Sequence, residues 1–262
     1  MYIRAISRAA LLCSTILTFN AFAAGDRIDY DLDNDGLIEI NDLADLNEIR
    51  NHLDGTALYG DSAGCPEEGC NGFELTTDLD FDTNGDGQMN ELDTYWNEGK
   101  GWYPIGSFSS SFNADFHGNG HQVRNIYMDT TSVDVGLLGY IEGTSSQPVK
   151  ITQIVITGPM TSITGGYAAG TIAGRIHYAE IDSLFISGVV NAEFKSGGLA
   201  GDVRNSTVSN ILSSAATLGG RNQGGLIGRF YDSGLSNSLF AGYVENGYGL
   251  LGYNHDNNNA YL

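Results

Sequence analysis

Basic residues are scarce in this sequence. Its 262 residues include 12 lysines and arginines against 32 aspartates and glutamates, which gives a formal net charge of −20. A protein this negative repels the phosphates of nucleic acids and the anionic headgroups of membranes. We therefore expect neither nucleic acid nor an anionic membrane surface among its partners.

Long hydrophobic runs are also missing. The one pronounced apolar run, residues 9–19, is too short to span a bilayer. It follows Arg4 and Arg8 and precedes the small-x-small sequence at 21–23, an order that is typical of a secretory signal peptide. The sequence therefore predicts that residues 1–23 are removed on export. We expect a secreted or surface-attached protein with no membrane insertion after that removal.

Cysteine is nearly absent, with three residues in the chain. Cys13 leaves with the predicted signal peptide, so Cys65 and Cys70 remain. An even pair in an oxidising compartment favours one local disulfide over a metal pair, which would need a further cysteine or a nearby histidine. So short a loop contributes about 2 kcal/mol in the chain-entropy model.

The common catalytic motifs are missing too. The sequence contains no His-Glu-x-x-His zinc motif, no Gly-x-Ser-x-Gly nucleophile elbow and no phosphate-binding loop. His117 and His121 have metal-ligand spacing, but residues 118–120 between them are typical of a hairpin turn. We expect exposed imidazoles there, and we predict no catalytic residue and no organic cofactor.

The most informative motif that is present is an acidic loop at residues 31–42. Carboxylates at its odd-numbered early positions and at its last position, Gly36 at position 6 and Ile38 at position 8 match an EF-hand calcium loop. The alternative is an acidic surface loop without an ion. The predicted calcium ligands are Asp31, Asp33, Asp35, the backbone carbonyl of Leu37, Glu39 and Asp42.

A second loop, residues 82–93, matches the same pattern less fully. Asn84 offers a neutral oxygen where the first loop has a carboxylate, so we expect weaker calcium binding. The alternative is a turn rich in Asp and Asn between a strand and a helix. The predicted ligands are Asp82, Asn84, Asp86, the backbone carbonyl of Gln88 and Asp93.

Secondary structure around these loops can also be predicted. Apolar residues at helical spacing from 43 to 53, with Asn41 or Asp42 as N-cap and Gly55 beyond the end, predict a helix. No helix fits before the first loop, so the motif resembles the half-motif of dockerin-like loops, and a signalling sensor is disfavoured. Alternation over 73–81 predicts one half-buried strand with an acidic outer face, and the apolar spacing over 89–96 predicts a short helix.

From residue 112 onward the chain repeats a tetrad of glycine, two apolar residues and glycine. The tetrads end at intervals of 35, 27, 27 and 24 residues, and residues 143–148 form an inserted loop in the longest interval. Glycine turns and short aliphatic strands without a helical stripe predict repeats that bury their apolar face only when stacked. The predicted interior ladder contains Leu137, Ile172, Leu199, Leu226 and Leu250.

The tetrads, together with residues 102–106 and 116–123, resemble the GLUG repeat of secreted bacterial surface proteins. The resemblance covers the chain from about residue 29 onward. It implies a mainly β fold with a short β-solenoid, most simply a right-handed parallel β-helix, in an extracellular or periplasmic protein. It implies no chemistry, because such repeats accompany adhesins and large peptidases alike. Thr171 departs from the tetrad, since glycine is expected there.

Charge divides the chain at about residue 111. Residues 24–111 hold 21 acidic and 3 basic residues, whereas 112–262 hold 11 and 7. We predict a signal peptide at 1–23, a small α/β calcium-binding cap with a disulfide at 24–111, and a repeat solenoid at 112–262. A polar cap is expected to protect the last repeat. The Asn-rich tail, a longer array, or end-to-end association with another copy would each supply it.

The predicted function is a calcium-stabilised extracellular interaction or adhesion module without enzymatic activity, which binds an unidentified surface protein or glycan. The alternative is a polysaccharide lyase or hydrolase, because parallel β-helices host both. A lyase needs calcium and a basic residue, and a hydrolase needs two close carboxylates. The charged residues that could stack on neighbouring repeats are Asp182, Asp202, Asp232, Arg175, Arg204 and Arg229.

Overall fold

The protein is mainly β. A computed structural model describes residues 27–247 and 249–255, with strands making up 43% and helices 5%. The predicted signal peptide and the end of the Asn-rich tail lie outside the described residues. Among the described residues, no helix has the length and apolar character needed to cross a bilayer.

The region before residue 112 holds few regular elements. It contains helix α1 (Leu43–Glu48), two short 3-10 helices (Ile49–Asn51 and Asn97–Gly99), and strands β1 (Leu37–Ile40), β2 (Gly72–Leu75) and β3 (Leu79–Asp80).

The region from residue 112 onward consists of short strands joined by turns. They are β4 (Asp115–His117), β5 (Gln122–Arg124), β6 (Tyr127–Asp129), β7 (Asp134–Val135), β8 (Tyr140–Glu142), β9 (Val149–Thr152), β10 (Val155–Thr157), β11 (Ser162–Gly165), β12 (Ala168–Ala169), β13 (Ala173–His177), β14 (Ala179–Ile186), β15 (Val189–Ala192), β16 (Lys195–Gly197), β17 (Ala200–Arg204), β18 (Thr207–Ser213), β19 (Ala216–Leu218), β20 (Asn222–Gly224), β21 (Ile227–Tyr231), β22 (Gly234–Ser236), β23 (Leu239–Phe240), β24 (Tyr243–Val244) and β25 (Leu251–Asn254).

These strands form four parallel sheets. The first sheet has eleven strands, with a main path β1-β2-β4-β9-β14-β10-β5-β3 to which β18, β22 and β23 attach. The second runs β24-β19-β15-β11-β6, the third β20-β16-β12-β7, and the fourth β25-β21-β17-β13-β8. Successive strands along the chain therefore belong to different sheets, and each pairs with a strand from an adjacent repeat.

Apolar side chains stack in register through the first sheet. The ladder begins in β1 and β2, continues into β4, and so crosses the predicted boundary at residue 111. Burying each side chain against its in-register neighbours removes apolar surface from water without leaving backbone groups unpaired. The ladder consists of Ile38, Phe73, Phe116, Ile151, Ile181, Val208 and Leu235, all buried.

The tetrads supply a second interior ladder, as the sequence predicts. Leu137, Ile172, Leu199 and Leu226 are fully buried, and Leu250 at the end is partly buried. Each of the last four residues contributes a carbonyl or N–H to the ladder between adjacent repeats, as in the bond from the Leu199 N–H to the carbonyl of Leu226 at 2.9 Å. The repeats are thus joined by backbone as well as apolar contacts.

Thr171 fits the tetrad despite replacing glycine. The glycines at the same position in the neighbouring tetrads, Gly136 and Gly198, do not have positive φ, so the position does not demand glycine on backbone grounds. The Thr171 hydroxyl is buried and donates to the carbonyl of Gly198 at 2.7 Å. The substitution therefore adds a hydrogen bond between repeats.

The turn that separates His117 from His121 is not a hairpin. Asn119 and Gly120 adopt left-handed conformations, with φ of 51° and 80°, but β4 and β5 do not pair with each other. Instead they pair with β9 and β10 of the next repeat. The turn bends one continuous row, and the expectation of exposed imidazoles is wrong for His117, which is half-buried with an unpaired Nε2.

Other predictions for the region before residue 112 hold in part. Helix α1 is confirmed, with Asp42 as its N-cap. The single strand expected over 73–81 is wrong, because turn residues at 76–78 divide it into β2 and β3. The helix expected over 89–96 is also wrong, since turns occupy those residues before the 3-10 helix Asn97–Gly99. The Asp and Asn side chains there bind nearby N–H groups, which competes with helix formation.

Candidate functional sites

The first acidic loop brings three carboxylates together. Asp31 is fully buried, and its oxygens accept from the N–H groups of Asp35 at 3.0 Å and Gly36 at 2.9 Å. The N–H of Asp35 also donates to Asp33, and the N–H of Leu37 donates to Asp35. One oxygen from each of Asp31, Asp33 and Asp35 lies within 4.8 Å of the others.

This donor set fits a hard divalent cation. The converging atoms are carboxylate oxygens, which calcium prefers. Within the described part of the chain, no lysine, arginine or histidine forms an ion pair with any of the three. Their mutual repulsion at close range is therefore uncompensated by protein charge, and a bound cation would relieve it.

The remaining predicted ligands of this loop lie elsewhere. Glu39 accepts from the N–H of Leu32 at 2.6 Å and pairs with Arg27 at 3.2 Å. Asp42 accepts from the first N–H groups of helix α1. The chain enters β1 at Leu37, and an extended strand advances about 3.3 Å per residue, so positions 9 and 12 are carried away from the start of the loop.

Glu74 is a candidate ligand that the sequence pattern did not reveal. It is buried in β2, paired in register with Glu39, and it accepts from the Asn119 amide at 2.6 Å. Burial raises the pKa of Glu74, and the carboxylates of Asp35, Asp33 and Asp31 raise it further. The Glu74 carboxylate therefore lies within electrostatic reach of the three-carboxylate cluster. The available sequence indication was the acidic face of the alternation over 73–81.

The predicted disulfide joins Cys65 to Cys70 and packs against this loop. The Sγ atom of Cys70 lies 3.6 Å from Oδ2 of Asp31. Both sulfurs are committed to the disulfide, so they are not thiolate ligands, although they adjoin Asp31. The disulfide instead helps to hold the chain that covers Asp31.

The second acidic loop is less convergent. Asp82 accepts from the N–H of Gly87, and Asp86 accepts from that of Gln88. Asp93 is buried and binds the N–H groups of Thr83, Asn84 and Asn90, so it closes the loop through the backbone. Oδ1 of Asp82 is buried without a hydrogen-bond partner, which is the observation that fits a cation here.

A basic cluster lies on the fourth sheet, where charged residues from successive repeats stack in register. Arg175 pairs with Asp202, and Asp202 pairs with Arg229. Asp202 is fully buried and accepts from Lys195 at 2.7 Å, Arg204 at 3.1 Å and Arg229 at 3.2 Å. Three cations thus surround one carboxylate, which leaves an excess of positive charge in a strongly acidic protein.

An open cavity of about 290 Å³ adjoins this cluster. Aromatic rings stack at one side, where the centroids of Tyr231 and His255 are 4.1 Å apart. Nearby, Asp134 pairs with Arg175 at 3.1 Å, and burial raises the pKa of Asp134 despite that partner. The residues that line the cavity are Arg204, Asn222, Arg229, Tyr231, Tyr253 and His255.

The structure separates the charged residues that the sequence had grouped as stacking candidates. Arg175, Arg204, Arg229 and Asp202 come together on the fourth sheet. Asp182 lies in β14 of the first sheet, where hydrogen bonds from Ser183, Ser209 and Asn210 lower its pKa. Asp232 follows β21 with a left-handed φ of 47°.

Several cavity residues were not found by sequence reasoning. Lys195 and Asn222 come from the third sheet, and the tyrosines from the ends of fourth-sheet strands. The 27-residue spacing of Arg175, Asp202 and Arg229 was the available indication.

Comparison with known proteins gives limited similarity. No family model matches the sequence. A stretch of 140 residues, 52% of this chain, is 29% identical to Halomucin of Haloquadratum walsbyi, of whose length it spans 1%. The fold has a TM-score of 0.38 and 13% identity to a Bacteroides ovatus protein named as a candidate immunoglobulin A1 protease, over 84% of each chain.

Proposed function

We propose that this chain is an exported, calcium-stabilised interaction or adhesion module on a short β-solenoid, which binds a surface protein or glycan and catalyses no reaction. The observation that carries the proposal is the pairing of each strand with its counterpart one repeat later, which makes a continuous side-chain surface. Such stacked surfaces are the usual binding faces of repeat proteins.

The strand register supports the solenoid. Ile163 pairs with Val190 in the second sheet, Ala173 with Ala200 in the fourth and Ile181 with Val208 in the first, and each pair is 27 residues apart. A chain that visits the sheets in turn and returns one strand further after 27 residues describes one coil. We expect right-handed coils, because crossovers between parallel strands are right-handed in almost all proteins.

Calcium has a structural role in this proposal. Asp31, Asp33 and Asp35 would supply oxygen ligands, with Glu74 nearby, and the ion would offset carboxylate repulsion that opposes folding. Extracellular sites work with dissociation constants on the order of 0.1–1 mM, because the medium supplies the ion. The residues of the second loop would hold a weaker ion.

The test is thermal unfolding of chelator-treated protein with and without calcium. Calcium at ten times its dissociation constant stabilises by about 1.4 kcal/mol, which corresponds to roughly 3–6 °C for a chain of this size. Asp31→Ala combined with Asp35→Ala should abolish the shift. The matched control, Asp129→Ala with Glu180→Ala, removes two exposed carboxylates elsewhere and should retain it. No shift in the unaltered protein would overturn the calcium proposal.

Polysaccharide cleavage is the second candidate function. It is favoured by the buried Asp134, with its raised pKa, beside the cluster of Asp202, Arg204 and Arg229. A carboxyl that stays protonated near an ionised one is the arrangement of a glycosidase acid and its partner. Incubation with acidic polysaccharides, followed by assays for new reducing or unsaturated ends, distinguishes the two. Product formation would reverse the ranking, whereas retention without product supports binding.

A further inference from the structure

We propose that the cavity beside the basic cluster binds an acidic carbohydrate through its carboxylate group. This inference depends on the proposed binding function and names its ligand class. It is carried by the juxtaposition of two partly exposed arginines with aromatic rings in one concave site.

Charge selects an anionic ligand. Of the seven basic residues after residue 112, Arg175, Lys195, Arg204 and Arg229 gather at Asp134 and Asp202, so four cations face two carboxylates. This local excess stands against a whole-chain charge of −20. Because distant surface charges are screened in physiological salt, a close anion experiences the local field.

Geometry selects a carboxylate. The Lys195 side chain is buried and bound to Asp202, whereas the side chains of Arg204 and Arg229 are 35% and 25% exposed at the cavity. Arg229 contacts Asp202 through Nε, which leaves its two Nη groups outside that contact. A guanidinium has five N–H donors in a planar fork that binds a carboxylate through two parallel hydrogen bonds.

The rest of the lining suits a sugar. Tyr231, Tyr253 and His255 present ring faces on which the C–H face of a pyranose can pack, while phenol and amide groups meet hydroxyls. A volume of about 290 Å³ is at the lower end of ligand sites, which suits a single sugar unit. The cavity is open, so neighbouring units of a polymer can extend from it.

The experiment measures binding of the full mature chain, in saturating calcium, to hyaluronate oligosaccharides, dextran, dextran sulfate and an aspartate-rich peptide. We expect hyaluronate to bind most tightly. Arg204→Ala should weaken that binding roughly tenfold, the value of one charged hydrogen-bonded pair. Arg124→Ala, which removes the same charge from an exposed arginine of the first sheet, should leave it unchanged.

A second pair of variants tests the aromatic part of the site. Tyr253→Ala should weaken hyaluronate binding several-fold, whereas Tyr243→Ala removes a comparably exposed ring from the second sheet and should not. Tyr253→Phe keeps the ring and should retain most of the affinity. If Arg204→Ala unfolds, Arg204→Lys keeps a cation beside Asp202, and its loss of the planar fork should still weaken binding.

The outcomes separate this inference from the proposed function. Equal binding by the Arg204 and Arg124 variants, dextran bound as tightly as hyaluronate, or tighter binding of dextran sulfate or the peptide would each overturn the acidic-sugar site. Retention that survives Arg204→Ala would leave the binding function standing at another surface. Binding that depends on Arg204 in a protein that calcium does not stabilise would preserve this inference and remove the calcium role.

Discussion

The loop at residues 31–35 and the cluster at Asp202 have opposite charge imbalances. In the loop, three carboxylates converge, and no basic ion-pair partner is found among the described residues. At Asp202, three basic side chains converge on one buried carboxylate. An imbalance at close range costs free energy that an ion of opposite charge recovers, so each site indicates the sign of its ligand.

The two sites also arise differently. The loop cluster is built from residues within five positions of each other, joined by N–H bonds of the same loop. The Asp202 cluster is assembled from β16, β17 and β21, which belong to different repeats and two sheets. A local site can form with its own loop, whereas a stacked site exists only when the repeats are in register.

The largest expected effect comes from breaking the stacked site. Asp202→Asn removes the charge that three cations share, and we expect a loss of about 3 kcal/mol, the lower end for a broken buried pair. The lower end applies because Arg204 and Arg229 keep partial access to water. Denaturant unfolding measures the change. Asp129→Asn, at an exposed position, is the control, and an equal loss in both would contradict the role of Asp202.

A middle-sized effect is expected from opening the disulfide beside the local site. Cys65→Ser with Cys70→Ser should cost about 2 kcal/mol through chain entropy. Because Cys70 adjoins Asp31, we also expect a smaller calcium-induced rise in melting temperature. Reduction of the unaltered protein should reproduce both effects. A stability loss with an undiminished calcium response would show that the disulfide does not shape the loop.

The smallest effect is a pH dependence of the acidic region. Burial is the main cause that raises the pKa of Glu39, Asp45 and Glu74. A raised pKa means that the folded state holds these protons more tightly, so their stabilisation is present at low pH and is lost as pH rises through the raised values.

Calcium-free protein should therefore melt on the order of 1–3 °C higher at pH 5 than at pH 7. Calcium should reduce the difference, because the ion competes with protons. Glu74→Gln should reduce it as well, whereas Glu91→Gln, at an exposed position, should not. A melting temperature that falls between pH 7 and pH 5 would contradict the prediction.

Sequence prediction succeeded where a residue type is required by local geometry or by a fixed repeat. The Asp42 cap, the Cys65–Cys70 disulfide and the buried tetrad ladder are of this kind. It was wrong where tertiary contacts decide, as at the divided strand over 73–81 and the turn between His117 and His121. There the chain follows the register of its neighbours, which local propensity does not contain.

The sequence by itself determined the negative charge, the acidic loops, the cysteine pair and the 27-residue repeat, since each is a matter of residue type and spacing. Only the tertiary structure decided which of the predicted ligands converge, that Glu74 lies near them, and that Arg204 and Arg229 meet Asp202 beside a tyrosine-lined cavity. The physical reason is that a parallel sheet juxtaposes residues from different repeats. Which of them meet depends on strand register and on the side chains of both partners.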